Sequence, residues 1–377
     1  MGIAPIIEER PTPSAALSSD RQELGARTVA AIRTAYTTRF VGAQLQRNPG
    51  DFHLLGGAAL APAAGDVVVA RVTEIGQHTA LQSAEGRRQK LFIGQLVLVA
   101  YGDRYAPDQF LAHVPLDLGP CQLVAGGGVA SRVESMHASI DAATELEPVG
   151  LLARDGQVVN LADFAPLQVH TPSAGASAQP ARTGVAVIAV LGTSMNSGKS
   201  TTLGCLVNGL TNAGLDVAAG KATGTGAGND PNLFKDAGAV SVADFTDFGY
   251  PTTYMVRYEQ VRDLLVAMIR EQAATGADVV VIEIADGLFQ GETSRLLNDP
   301  VFSRHVDRVL FSAQDALGAL AGEQILLSAG LDLAAVSGRL TASPLAADEA
   351  RANLRTQVID TFELCDPQVA TALLPRS

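Results

Sequence analysis

VAVIAVLGTSMNSGKST, residues 185–201, decides how the C-terminal half of this chain is read. The unbroken apolar run at its start has the length of a buried strand, and KSTTLGCLVNGLTNAG (199–214) continues as an apolar helix beginning at Ser200. Between them lie Gly192, Thr193, Ser194, Met195, Asn196, Ser197 and Gly198, then Lys199, Ser200 and Thr201. A glycine-bounded loop joining strand to helix lets successive backbone N–H groups and the positive helix end surround phosphate oxygens. In that layout the lysine reaches the β- and γ-phosphates, the first hydroxyl holds Mg²⁺ and the second touches the α-phosphate. Residues 192–201 are therefore the expected nucleotide-binding loop.

Working outward, the segments after residue 184 alternate between buried strands and longer helices: LDVAAGK, AVSVADF, YEQVRDLLVAMIREQAATG, DVVVIEIA, VDRVLFSA and GALAGEQILLSAG. Such βα repetition predicts a mainly parallel sheet covered on both faces, with ligand sites at the carboxyl ends of its strands. The second strand delivers Lys221 and the glycine-rich loop ATGTGAGND (222–230), where backbone approaches an anion closely and the lysine adds a point charge. The run 239–254, expected beside the loop strand, carries Asp244 and Asp247. There a carboxylate either binds Mg²⁺, directly or through water, or caps a turn before Gly249 and Pro251. DVVVIEIADGLFQGET (278–293) ends its strand on Glu283, with Asp286 and Glu292 following. A carboxylate emerging from a central strand is costly to bury unless a cation or hydrogen bonds compensate, which favours a metal role for Glu283.

The loop form G-T-x-x-x-x-G-K-[ST] resembles that of dethiobiotin synthetase and its relatives among the P-loop NTPases, a group that also holds the Min-type and arsenical-pump ATPases. The resemblance spans roughly residues 184–365 and rests on this loop, Lys221 and Glu283. It implies that Lys221, with Thr223 and Thr225, faces the γ-phosphate and the substrate, that Glu283 helps hold Mg²⁺, and that the protein is a homodimer. Ser194 stands where the dimeric switch ATPases carry their extra lysine, and the Asn-Lys-x-Asp guanine motif of GTPases is absent, which points to ATP. Lys199, Lys221 and Glu283 are the expected catalytic residues. Ser200, Asp244 and Glu283 are the expected metal ligands. Ser337 and Arg339 are candidates for base or ribose contact.

The first half reads differently. GDVVVARVTEIGQ, TALQSA, QKLFIGQLVLVAYG and CQLVAG are short β-rich runs punctuated by Gly, Asp and Pro, as in a small barrel or sandwich, while residues 22–49 have helical spacing. The Ser-, Ala-, Pro- and Gly-rich stretch 169–183 reads as a linker. The expected organisation is a mixed, mainly β domain (1–168), the linker, and a P-loop NTPase domain (184–377). In YGDRYAPDQF (101–110) charges and aromatics gather between apolar runs, either as a plain turn or as a substrate-binding loop. Arg104, Thr223, Thr225, Asp247 and Asp286 complete the candidate substrate contacts.

A net charge of −12 opposes binding to nucleic acid, and the densest basic stretch, GRRQK (86–90), reads as a solvated hairpin. The apolar runs are too short to span a bilayer. Three widely spaced cysteines, the absence of metal spacing among the six histidines, and an acidic start without a signal-peptide pattern fit a cytoplasmic protein. The expected function is ATP- and Mg²⁺-dependent activation of a small-molecule carboxylate or carbamate by γ-phosphoryl transfer, followed by ligation or cyclisation. A nucleotide-dependent switch delivering a metal or cofactor is one alternative, and an acyl-CoA-dependent N-acyltransferase on the same fold is another.

Overall fold

The computed structural model describes residues 20–57, 60–169 and 184–375. The linker expected at 169–183 falls outside these residues, apart from Val169.

In the C-terminal half the strands Ser241–Asp244, Val217–Lys221, Val279–Glu283, Ala186–Gly192, Arg308–Ser312 and Leu333–Ser337 lie side by side in that order, all parallel. Their unbroken apolar character follows from burial on both faces. Val187, Ala189 and Leu191 enter one core with Val280 and Ile282, while Ile188 and Val190 enter a second with Val279 and Val281. The helix Lys199–Asn212 supplies Leu203, Leu206 and Leu210 to the second core, and Tyr258–Ala273 supplies Leu264, Leu265 and Met268 to the first. Helices on both faces force every crossover to return each strand in the same direction, so all carboxyl ends share one edge.

One expectation fails here. The strand ending at Asp244 is an edge strand, with Val217–Lys221 and Val279–Glu283 standing between it and the loop strand. Helix spacing in 22–49 is likewise only partly realised, as two short helices, Ala26–Ala31 and Arg39–Arg47, flanked by strand residues. Pairing to neighbouring strands overrides the local propensity.

In the N-terminal half Val67–Glu74 pairs with Leu96–Tyr101, which pairs with Val129–Met136, then Cys121–Ala125, then Thr144–Arg154, which returns to Val67–Glu74. The pairings close a ring and remove its free edges. Val68, Ala70, Val72, Val97, Val99, Tyr101 and Leu123 share one core, while Val67, Val69, Leu98 and Ala100 pack outward against Val29, Val41 and Leu45 of the two helices. GRRQK does form a hairpin, Arg88–Lys90 pairing with Ala80–Gln82.

The ring sits on the carboxyl edge of the parallel sheet. A Cβ placed on Gly127 would lie 1.9 Å from the carbonyl oxygen of Gly226, so only glycine permits this backbone approach. Around it Gln82 donates to Asn229 Oδ1 and accepts from the Gly228 N–H, Tyr36 donates to Asp244, and Arg39 pairs with Asp247.

Candidate nucleotide site

At the carboxyl ends of the central strands lies a cavity of about 540 Å³, bounded by the 195–201 loop, Lys221, the 224–230 loop, Glu283, Asp286, Arg339 and Arg104. Its floor is the loop itself. Asn196 (φ 61°) and Gly198 (φ 99°) are left-handed, and the helix begins at Lys199, one residue before the expected start. This turns the loop around a concavity of the kind that backbone N–H groups line for anions. Residues at and just beyond the ends of the neighbouring strands pin it. Thr193 N donates to Ser312 O at 3.0 Å, Arg339 N to Ser197 O at 2.9 Å, and Gln314 Nε2 to Met195 O at 2.9 Å.

Lys199 is 6% exposed, and its ammonium donates to two backbone carbonyls, Ser194 O and Asp286 O, each at 2.8 Å. Burial pushes its pKa below the ordinary lysine value, against the opposing pull of Glu283 and Asp286. Carbonyl dipoles orient the charge without cancelling it, and an anion entering the cavity meets a desolvated cation.

Lys221 stands opposite, bonded to Asp230 and 3.0 Å from Glu283 Oε1. Burial works against its charge, yet the two carboxylates outweigh that and hold its pKa above the ordinary lysine range. Burial likewise opposes the charge on Asp230, but Lys221 prevails, with help from a hydrogen bond to Ser200, and holds its pKa below the usual carboxylate value. The second oxygen of Glu283, Oε2, is buried with no hydrogen-bond partner among the described residues. Asp286 behaves in the opposite way, its pKa raised by burial against the pull of Lys199, Arg104 and Lys221.

The structure thus gathers Arg104, Lys199, Ser200, Thr201, Lys221, Thr225, Glu283, Asp286 and Arg339 around one cavity, with Gly192, Thr193, Ser194 and Ser197 in the loop beneath. Other candidates lie elsewhere. Asp244 is 1% exposed and caps the 245–248 turn, accepting from Thr246 N and from the Tyr36 hydroxyl. Asp247 is committed to Arg39 and to the Asp244 N–H. A metal or substrate contact for either requires their strand to adjoin the loop strand, and the sheet order places them at the edge. Thr223 is buried, its hydroxyl donating to Ala285 O, and Ser337 is fully buried beside Thr361.

Asp230 escaped the sequence reading although it closes the quoted ATGTGAGND loop. The available signal was a carboxylate at the start of the helix Asn229–Asp236, directly after an anion-binding glycine run. Ser200, Asp230 and Glu283 make a set of hard oxygen donors, and the orphaned Glu283 oxygen is what a cation would satisfy. Such a set suits Mg²⁺, which takes only one or two carboxylates and completes its shell with phosphates and water. Among the described residues no group of three or more His, Cys, Asp or Glu is placed to hold a metal by itself, and no helix is long and apolar enough to cross a membrane.

Strand, left-handed glycine loop, buried lysine and helix at the carboxyl edge of a parallel sheet define the C-terminal half as a P-loop NTPase fold. No protein-family model and no curated protein matches the chain. Among solved structures it is similar to the signal recognition particle receptor FtsY from Elizabethkingia anophelis in complex with GDP, at 18% identity over 58% of this chain and 70% of that one, with a TM-score of 0.33. It is also similar to the septum site-determining protein MinD with Mg-ADP from Pyrococcus horikoshii, at 12% identity over 50% of this chain and 94% of that one, TM-score 0.33. A nucleotide-binding protein with ADP from Archaeoglobus fulgidus matches at 13% identity over 49% and 87%, TM-score 0.33. Likenesses of this size add nothing to the assignment, which rests on the geometry above.

Proposed function

We propose that this chain binds ATP with Mg²⁺ in the P-loop cavity and transfers the γ-phosphoryl group to a carboxylate or carbamate oxygen of a small molecule. The observation that carries this reading is Lys199, a buried ammonium held on the Ser194 and Asp286 backbone carbonyls at a left-handed loop. In the transfer the bond from the β,γ-bridging oxygen to the γ-phosphorus breaks as the acceptor oxygen bonds to that phosphorus. ADP and an acyl or carbamoyl phosphate result, and a nucleophile then displaces phosphate in ligation or cyclisation. Such a step asks little covalent chemistry of the protein and much electrostatic positioning.

Loop N–H groups and Lys199 hold the phosphates. Lys221, fixed between Asp230 and Glu283, faces the reacting end and receives developing charge without having to reorganise. Ser200, Asp230 and Glu283 would hold Mg²⁺, which when bound offsets charge on the phosphate oxygens. The resemblance of the loop, Lys221 and Glu283 to dethiobiotin synthetase supports this class of acceptor. The absent guanine motif supports adenine.

A second reading, a nucleotide-dependent switch, is favoured by one observation. The ring domain bonds directly to the loops that bound the cavity, through Asp108 to Asn196 at 2.7 Å and through Gln82 to Gly228 and Asn229.

Thermal melting with ATP, GTP or acetyl-CoA, each with Mg²⁺, separates the readings, since ligand at a hundredfold its Kd stabilises by about 2.7 kcal/mol. Stabilisation by ATP together with acceptor-dependent ADP release supports the synthetase. Stabilisation by GTP alone supports the switch, and by acetyl-CoA alone an acyltransferase. Lys199→Ala should abolish the ATP response, while Lys221→Ala should keep most of the binding and lose turnover by about 100-fold or more. Absence of any nucleotide response in the unmodified chain would overturn both nucleotide readings.

A further inference from the structure

We propose that Arg104, which belongs to the N-terminal ring domain, is a phosphate-contacting residue of the P-loop cavity, so that the nucleotide site is complete only when the two domains are docked. The inference rests on the nucleotide reading above and assigns the N-terminal domain a part in it.

Arg104 is 6% exposed and lines the same cavity as Lys199 and Lys221. Its Nη2 donates to Gln109 Oε1 at a long 3.3 Å, and its Nε is buried with no hydrogen-bond partner among the described residues. A guanidinium carries five donors in a rigid planar fork, and burying it with donors unspent is costly. A phosphate oxygen pair is the acceptor that fork matches. Burial pushes its pKa below the ordinary arginine value, while the charges of Asp286 and Asp108 partly restore it. Asp286, whose charge acts on Arg104, also offers its carbonyl to Lys199, so one residue of the NTPase half interacts with both cations.

The platform under Arg104 is latched to the site. Its strand, Arg104–Tyr105, pairs with Phe110–His113, and the Tyr105 ring lies 5.3 Å from that of Tyr254 in the NTPase half. Asp108, in the same turn, accepts from Asn196 of the nucleotide loop. Gly102 lies so close to Pro251 and Thr252 that a Cβ there would meet the Thr252 methyl at 2.7 Å. The guanidinium is thus presented pre-organised in the wall of the cavity, within reach of the Asp286 charge. There it neutralises charge on the terminal phosphoryl group, the role a cation supplied from outside the core fold plays in phosphoryl transfer.

The test uses the full chain with Arg104→Ala, Arg104→Lys and Arg104→Gln, and Lys199→Ala as reference. ATP and ADP affinities with Mg²⁺ are measured by calorimetry, phosphate release by a coupled assay, and the melting temperature of the ligand-free protein alongside. The expected result is that Arg104→Ala weakens ATP by about tenfold or more relative to ADP and slows phosphate release by about 10²- to 10³-fold. Arg104→Lys should melt near the unmodified chain and recover part of the ATP preference but little turnover, because lysine keeps the charge and lacks the fork. Should Arg104→Ala not fold, Arg104→Lys and Arg104→Gln decide by the same ATP-to-ADP ratio. The proposal is overturned if that ratio and phosphate release stay at the unmodified values while Lys199→Ala abolishes binding. It is equally overturned if both affinities fall together with the ligand-free melting temperature, which is the mark of a purely structural arginine. If the unmodified chain binds no nucleotide, the reading it rests on fails first.

Discussion

Tyr36 of the ring domain donates its hydroxyl hydrogen to Asp244 Oδ2 at 2.8 Å, and both residues are buried. Burial and the adjacent Asp244 charge hold the phenol far above its ordinary pKa, so it keeps the hydrogen that it donates to the carboxylate. Asp244 Oδ1 meanwhile accepts from Thr246 N at 2.7 Å. The carboxylate at the sheet edge is therefore a clasp between the N-terminal half and the parallel sheet. Tyr36→Phe and Asp244→Asn should each lower unfolding free energy by about 1–3 kcal/mol in denaturant titrations. The Mg²⁺ concentration needed for nucleotide binding should not change. A raised Mg²⁺ requirement in Asp244→Asn would return this residue to the metal site.

Asp230 is expected to show the reverse pattern. Its carboxylate joins Lys221 and Ser200 beside the orphaned Glu283 oxygen. Asp230→Asn keeps the shape and removes the charge. It should raise the Mg²⁺ concentration for half-maximal nucleotide binding by about tenfold, on the scale of weakened metal-site support. Titration of the nucleotide-induced melting shift with Mg²⁺ measures this, and an unchanged midpoint would remove Asp230 from the ion's shell.

Backbone contact between the domains has its own test. A Cβ on Gly127 would collide with the Gly226 carbonyl oxygen, an atom that cannot swing away as a side chain would. Gly127→Ala should therefore displace the 224–230 loop, costing about 1–3 kcal/mol in stability as overpacking does, and weaken nucleotide binding as well. Gly25→Ala, where an added Cβ meets nothing within 4 Å, serves as the control and should change neither.

Acid sensitivity should come in part from His78. Burial is the main cause that lowers its pKa from 6.5 to about 4, and its Nε2 has no hydrogen-bond partner among the described residues. The unfolded chain protonates this histidine near pH 6.5, whereas the folded chain resists until about pH 4. Between those values the unfolded state binds more protons, so stability is full above about pH 6.5 and declines as the pH falls toward 4. Melting temperatures measured across this window should drop less steeply for His78→Gln. An identical slope would mean that other groups carry the acid transition.

Legibility of the site followed chain proximity. The loop 192–201 was readable because strand, turn and helix are contiguous, and the physics of a phosphate cradle is local. Lys221 and Glu283 were readable as well, because in a parallel sheet with covered faces every strand delivers its last residue to the same edge. Asp244 satisfied that same rule and yet lies outside the cavity, because the rule says nothing about which strand is central. Arg104 was legible only as one of two readings of a polar turn, and Asp230 went unnamed although it closes the glycine-rich loop. That Arg104 lines the same cavity as Lys199 and Lys221 depends on segments far apart in the chain, and neither carries a periodicity that points to the other.

From its residues alone the chain determined a P-loop unit, a βα alternation buried on both sides, and a β-rich first half, since these are properties of hydrophobic period and turn chemistry. Tertiary structure alone decided the strand order, the closure of the N-terminal ring and its docking over the nucleotide loop. Strand neighbours are selected by crossover paths and by how whole faces pack, and these energies are shared among residues distant in sequence. For that reason Asp244 became a clasp, Asp230 joined Lys221 beside Glu283, and an arginine from the N-terminal half came to line the same cavity as Lys199.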